Sequence, residues 1–129
     1  MSSRQTVSSH TPWESVAGFS RAVRAGNMLF VSGTTASDEQ GHTLHADDAG
    51  AQARTILQKI RQTLESAGAQ LNDVVRTRVY VTRYADWESV ARVHGEVFSA
   101  IRPANTLVVV RSLVPADALV EIEADAIVD

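Results

Sequence analysis

Two short segments are apolar at consecutive positions, so a β-strand formed by either would be apolar on both faces. They are residues 28–31 and residues 107–110. A strand of this kind has to be covered on both sides. Only two other segments have helical periodicity, and two helices packed side by side cover one face of a sheet. A second copy of the chain is the simplest cover for the other face, and a long loop is the alternative.

The two helical segments alternate with the predicted strands. In residues 47–67 the apolar side chains recur mostly at spacings of three and four, as on one face of a helix. Asp47 or Asp48 is suited to cap the start of this helix. Residues 86–100 repeat the pattern, and Pro103 prevents the second helix from continuing.

Five segments have the composition and spacing of strands. The clearest is residues 74–82, where valines alternate with Arg76, Arg78 and Tyr80. With the helices, the strands give the order ββαβαββ, which predicts an α+β fold with two helices on one face of a single sheet. In chain order, the predicted strands are residues 19–24, 27–33, 74–82, 106–111 and 119–128.

Composition excludes several kinds of site. The 129 residues include no cysteine, which removes disulfides and cysteine-based metal sites. A net charge of -3 argues against nucleic acid as a partner. No apolar run approaches the roughly 18 residues of a membrane span, so no membrane association is expected. The sequence predicts a cytoplasmic protein with a polar N-terminal segment, residues 1–15, and one domain, residues 16–129.

The second face of the predicted sheet carries charges of both signs. If the valines of residues 74–82 pack against the helices, Arg78 points away from them. If Val120 and Ile122 also face the helices, Glu121 points away as well. Partly buried charges must pair or bind something. Two interpretations stay open: ion pairs between strands or subunits, or a site in which Glu121 binds a ligand or orients a water.

Several motifs together resemble the YjgF/RidA family. Pro103 and Ala104 open an apolar strand, and the run Val120, Glu121, Ile122 and Glu123 follows. The other similar segments are residues 26–33, 51–54 and 73–77. The resemblance implies a chorismate-mutase-like sheet and a homotrimer whose sheets form a central barrel. It also implies small-molecule clefts between the subunits, with no metal and no organic cofactor.

The resemblance assigns roles to individual residues. Gly33 matches a glycine whose backbone faces the ligand, and Glu121 matches the acid that positions the attacking water. Phe19 stands where the family has a tyrosine. Asn105 stands at the arginine that binds a substrate carboxylate, and Leu107 at a small residue two positions later. With Arg78, these residues are the predicted lining of the cleft, and Glu121 is the predicted catalytic residue.

Asn105 most affects the predicted activity. A guanidinium holds a carboxylate through two hydrogen bonds, whereas asparagine has one NH₂ group and no charge. Losing one side of a desolvated charge pair costs about 2–5 kcal/mol. Arg102 or Arg78 could supply the missing charge. The family's helical asparagine is equated with Ala91, which has no amide.

These substitutions predict a divergent family member. The expected function is a small-molecule-binding protein that acts as a cofactor-free imine or enamine hydrolase on substrates other than the usual 2-imino acids. The alternative is a non-catalytic binding or interaction protein on the same scaffold. A ribonuclease is the third interpretation, and the acidic charge disfavours it. His94 is expected at the edge of the core, with a base in the cleft as the alternative.

Overall fold

The computed structural model describes residues 4–9 and 11–129, and these form one sheet with helices packed on it. The strands are β1 (Arg4–Val7), β2 (Ala22–Ala25), β3 (Met28–Thr34), β4 (Val74–Val81), β5 (Ala104–Val109) and β6 (Val120–Ile127). The helices are α1 (Pro12–Ala17), α2 (Ala49–Ser66) and α3 (Trp87–Phe98), with short 3₁₀ turns at Leu71–Asp73 and Tyr84–Asp86.

The sheet has the strand order β1-β2-β3-β6-β4-β5. Every neighbouring pair is antiparallel except β4 and β5, which are parallel. Parallel neighbours need a crossover connection, and α3 supplies it. The α+β class and the order ββαβαββ, read from β2 onward, are confirmed.

Two elements near the N-terminus were not predicted. Strand β1 pairs with β2 at the edge of the sheet, and α1 follows it. The predicted division between residues 15 and 16 lies inside α1. Because three of the four β1 side chains are polar and exposed, this strand has no apolar alternation by which the sequence could reveal it.

The core lies between the sheet and the helices α2 and α3. Helix α2 starts at Asp48, whose carboxylate accepts a hydrogen bond from the backbone N–H of Ala51 at 3.0 Å. This confirms one of the two predicted caps. The buried face of α2 packs on the inner residues of β3 and β6. The largest fully buried apolar side chains are Leu29, Ile56, Ile60, Leu64 and Ile122.

Val75 was expected in this core, and that expectation is wrong. The pairing of β4 with β6 shifts register between Val74 and Arg76, so that Val74 takes the buried position and Val75 is 44% exposed. Such an irregularity inserts a residue and breaks the alternation. Beyond it, Val79 and Val81 face the helices as predicted.

The second face of the sheet stays open in the single chain. Met28 and Phe30 on β3 are each 43% exposed, and Val108 on β5 is 41% exposed. No loop covers these side chains, so the loop alternative is not realised at these positions. Among the described residues, no helix is long and apolar enough to cross a lipid bilayer.

Gln52 connects α2 to the backbone next to β6 through side-chain hydrogen bonds. Its fully buried side chain donates from Nε2 to the carbonyl of His45 at 3.2 Å and accepts at Oε1 from the N–H of Leu119 at 2.9 Å. Gln52→Ala leaves both backbone groups without this partner, so we expect the free energy of unfolding to fall by about 2–4 kcal/mol. Chemical denaturation at fixed protein concentration measures the change.

Gln58→Ala is the matched control, because Gln58 is exposed on the same helix. Its effect should stay within about 0.5 kcal/mol. Equal effects of the two variants would show that Gln52 does not join the layers.

Candidate active site

The Glu121 side chain packs directly against Gly33. The alternation of β6 turns Glu121 away from the helices, toward the end of β3. A Cβ added at Gly33 would lie 2.6 Å from Oε2 of Glu121 and 3.0 Å from its Cδ. A Cβ atom does not approach a carboxylate oxygen this closely in a real structure, so a side chain at position 33 would have to displace the Glu121 carboxylate. The carboxylate therefore occupies space that only a glycine at position 33 leaves open.

Arg21 is a buried cation beside this pair, and the sequence did not predict its role. Arg21 is only 7% exposed, and its Nη2 donates to the carbonyl of Gly33 at 2.5 Å. The guanidinium carbon lies 5.5 Å from the centre of the Phe19 ring. Nε is buried and has no hydrogen-bond partner within the described part of the chain. Burial lowers the pKa of Arg21, and the charges of Glu14 and Glu121 raise it.

Burial and two neighbouring charges set the pKa of Glu121. Burial raises the pKa of Glu121 most, the charge of Arg21 lowers it, and the charge of Glu123 raises it further, so that the pKa is raised overall. Raising the pKa of a carboxyl group makes its protonated form easier to populate and its ionised form more basic. This is the electrostatic property that a general acid or base needs.

Helix α1 closes one side of the site and is fixed by Glu14. Oε2 of Glu14 accepts from the N–H of Ser9 at 3.1 Å, from Oγ of Ser9 at 2.6 Å and from Oγ1 of Thr11 at 3.2 Å. Burial acts to raise the pKa of Glu14, but hydrogen bonds from Ser9, Ser8 and Thr11 outweigh it and bring the pKa to about 2. Glu14 is therefore ionised at neutral pH.

A cavity of about 220 Å³ opens against the Glu121 carboxylate. Its walls are mainly apolar, with Arg21 and Glu121 as the charged groups, which is the usual character of a small-molecule site. Three of the predicted site residues meet here: Phe19, Gly33 and Glu121. The complete lining is Trp13, Ala17, Phe19, Arg21, Gly33, Thr35, Val114 and Glu121.

Arg78 does not lie in the lining of this cavity. Its Nη1 is 3.3 Å from Oδ2 of Asp125, and the neighbouring Tyr80 donates its hydroxyl to Glu123. Both side chains lie on the second face, as the alternation predicted. The ion-pair interpretation therefore holds for Arg78, and its carboxylate partner is Asp125.

Asn105 and Leu107 lie elsewhere in the single chain. They are on β5 and are turned toward the helix side, where Leu107 packs against the core. Nδ2 of Asn105 donates to Oγ1 of Thr77 at 2.9 Å, and the same oxygen is 2.8 Å from Nε2 of His94. Within one subunit, the structure thus forms two groups: the Glu121 cavity, and a polar trio of Asn105, Thr77 and His94.

His94, which was expected at the edge of the core, is half-buried. Burial lowers its pKa, so the imidazole is neutral at neutral pH and has one donor and one acceptor nitrogen. Its ring centre is 4.6 Å from that of Phe98. A cavity of about 320 Å³ lies beside it and is lined by His94, Gly95, Phe98, Ser99, Arg102 and Pro103. This lining contains Arg102 and does not contain Ala91.

Metal ligands are not grouped in this arrangement. Among residues 4–9 and 11–129, no three or more His, Asp or Glu side chains are placed to hold a metal ion together.

Comparison with known proteins identifies the family. A family model described as Endoribonuclease L-PSP matches residues 9–128. The crystal structure of Rv2704 from Mycobacterium tuberculosis, described as a member of the YjgF/YER057c/UK114 family, has a TM-score of 0.88 and 48% sequence identity; the match covers 98% of this chain and 100% of that one. The chain belongs to the YjgF/RidA family.

Two further YjgF/RidA relatives support the assignment. The 3-aminoacrylate deaminase RutC of Acinetobacter baylyi is 39% identical over 101 residues, which is 78% of this chain and 79% of RutC. The crystal structure of the YjgF gene product from E. coli has a TM-score of 0.82 at 30% identity, covering 95% of this chain and 98% of that one. The predicted family and the predicted fold are confirmed.

The raised pKa of Glu121 has a consequence for stability. A carboxyl whose pKa is higher in the folded state binds its proton more tightly there, so its contribution is present at low pH and is lost as pH rises through the folded pKa. We expect Glu121→Gln to be more stable than the wild type at pH 8, with the difference shrinking toward pH 4. Denaturant titrations across this range measure it; a difference that grows as the pH falls would contradict the assigned direction.

Proposed function

We propose that this protein hydrolyses the C=N bond of a small imine, or of an enamine that tautomerises to one. The observation that carries the proposal is the Glu121 carboxyl, which is buried beside Gly33 in a mainly apolar cavity with its pKa raised. The RutC relative is named for the deamination of 3-aminoacrylate, which is an enamine.

The proposed reaction needs one group that gives and accepts protons. With an enamine, protonated Glu121 donates a proton to the carbon and leaves an iminium. The resulting carboxylate accepts a proton from water as the water oxygen bonds to the iminium carbon. Transfer of that proton to nitrogen lets the C–N bond break while the carboxylate accepts the hydroxyl proton, so that imine and water become a carbonyl compound and ammonia and Glu121 is protonated again. Arg21 opposes the effect of burial on Glu121 and so keeps the ionised form accessible.

We further propose that the complete site forms between subunits of a homotrimer. The Glu121 cavity is bounded partly by Phe19 and Gly33, whereas Asn105 and Leu107 lie on the opposite side of the sheet at its β5 edge. A neighbouring subunit that packs on the exposed second face could bring its β5 edge to the Glu121 cavity. The exposed apolar side chains on that face support such packing.

Asn105 on β5 affects which substrates the proposed site can bind. Asn105 carries no charge, and its amide already donates to Thr77. A substrate with a carboxylate beside the C=N bond would therefore bind weakly there, unless Arg102 in the His94 cavity holds it. We propose an imine or enamine other than the usual 2-imino acids. The row of carboxylates at positions 121, 123 and 125 disfavours a ribonuclease, because it repels a phosphate backbone.

Release of ammonia from freshly generated imines and enamines tests the activity. We expect the wild type to accelerate the hydrolysis of an uncharged imine or enamine more than that of 2-iminopropionate. Glu121→Gln should lower kcat by about 10²–10⁴-fold, because the amide cannot transfer the proton. Glu65→Gln, exposed on α2, is the control and should keep full activity.

Asn105→Arg extends the same assay. If the second half of the site comes from a neighbour's β5 edge, a guanidinium there should raise kcat/KM for 2-iminopropionate by roughly 30-fold or more. Failure of the wild type and of this variant to accelerate any substrate would favour the non-catalytic binding protein.

Sedimentation equilibrium tests the trimer. We expect a mass near three times the chain mass of 13.9 kDa, about 42 kDa. Phe30→Lys should shift the protein toward monomer, because it places a charge on the apolar second face. Tyr84→Lys is the control, since Tyr84 is 74% exposed outside that face. A monomeric wild type at micromolar concentration would refute the proposal.

A further inference from the structure

A second cation, the half-buried Lys59, lies on α2 close to Arg21. Its Nζ donates to the carbonyl of Thr35 at 2.8 Å and to that of Ser37 at 3.0 Å. An ammonium group has three N–H donors, so these two bonds leave one. No carboxylate lies within ion-pair distance of Lys59 in the described part of the chain.

A cavity of about 200 Å³ opens beside these two cations, and it is separate from the cavity at Glu121. Arg21 contributes to both. The remaining polar side chains of the lining are five hydroxyls and one amide, and no acidic residue takes part. The complete lining is Val7, Ser8, Ser9, Arg21, Thr34, Lys59, Gln62, Thr63 and Ser66.

The lining of this cavity contains two positively charged side chains and no negatively charged one. Burial lowers the pKa of Lys59, the charge of Arg21 lowers it further, and the charge of Asp38 only partly opposes them. Arg21 has the charges of Glu14 and Glu121 near it, yet its Nε has no hydrogen-bond partner among the described residues. These carboxylates leave the buried Nε of Arg21 without a hydrogen bond and the half-buried Lys59 without an ion pair within the described residues, so an anion bound here would offset part of the cost of burying these groups.

We propose that this cavity, lined by Lys59, Arg21 and the surrounding hydroxyls, is a binding site for a small oxyanion, a phosphate or a carboxylate. The chemistry fits this class, because ammonium and guanidinium groups form charge-assisted hydrogen bonds with phosphate and carboxylate oxygens. The Thr63 hydroxyl supplies a further donor, whereas the Thr34 hydroxyl already donates to the carbonyl of Ser32 at 2.9 Å. The volume of about 200 Å³ accommodates an inorganic phosphate or a short carboxylate.

The site does not depend on the proposed catalytic reaction. Its ligand would enter from the side of β1 and α2, whereas the Glu121 cavity is bounded by α1 and the ends of β3 and β6. Binding is measured without turnover. A failure of this proposal therefore leaves the hydrolase proposal standing, and the reverse also holds.

Isothermal titration calorimetry tests binding directly. The full chain is titrated with inorganic phosphate and, in a second arm, with succinate, both at constant ionic strength set with chloride. We expect saturable binding of one of them with a Kd below about 10 mM. The arm that binds more tightly identifies the anion class. Absence of saturable binding in both arms overturns the proposal.

Variants locate the site. Lys59→Met should weaken binding at least about tenfold, because it removes one of two charges that hold the anion. Lys59→Arg keeps the charge and should retain binding. Arg54→Met is the matched control, since Arg54 lies on the same helix but is exposed and paired with Glu96. An equal loss in Arg54→Met and Lys59→Met would show non-specific attraction and overturn the proposal.

Gln62→Glu provides a test that does not remove Lys59. The change is isosteric and adds a carboxylate at the cavity lining. We expect it to weaken phosphate and succinate binding severalfold by competing for the cations. Unchanged affinity in this variant would contradict the assigned location, even if Lys59→Met does not fold.

Discussion

Strand β6 is the element on which the rest of the structure depends. It lies between β3 and β4, and its alternation separates two environments within eight residues. Ile122 and Ala124 face the helices and are fully buried, whereas Glu121 and Asp125 face the second side of the sheet. The packing that holds the core together therefore also fixes where the carboxylates lie.

The carboxylates around the site differ in how strongly neighbouring groups stabilise their ionised forms. Asp125 has Arg78 as an ion-pair partner, and Glu14 is held ionised by several hydrogen bonds. Glu121 has only the field of Arg21 to oppose its burial, and Arg21 divides its influence between Glu14 and Glu121. Among these carboxylates, Glu121 is the one whose surroundings suit proton transfer at neutral pH.

Periodicity was sufficient to predict helices α2 and α3, five of the six described strands and the outward direction of Arg78 and Tyr80. It failed where the determining contact is distant in sequence. Val75 is exposed because of a register shift against β6, and Arg21 is buried because it reaches the carbonyl of Gly33, 12 residues away. Strand β1 pairs through its backbone, so its polar side chains gave no signal. The resemblance indicated Asn105, but only coordinates reveal its link through Thr77 to His94.

The contact between positions 33 and 121 also limits how this chain can change over generations. Any side chain at position 33 would need the space that the Glu121 carboxylate now fills. Replacing Gly33 first would displace the Glu121 carboxylate. Shortening Glu121 first would remove the steric need for glycine at position 33. Substitutions at the two positions are therefore coupled. Once residue 121 is shortened, a small side chain at position 33 no longer meets the carboxylate.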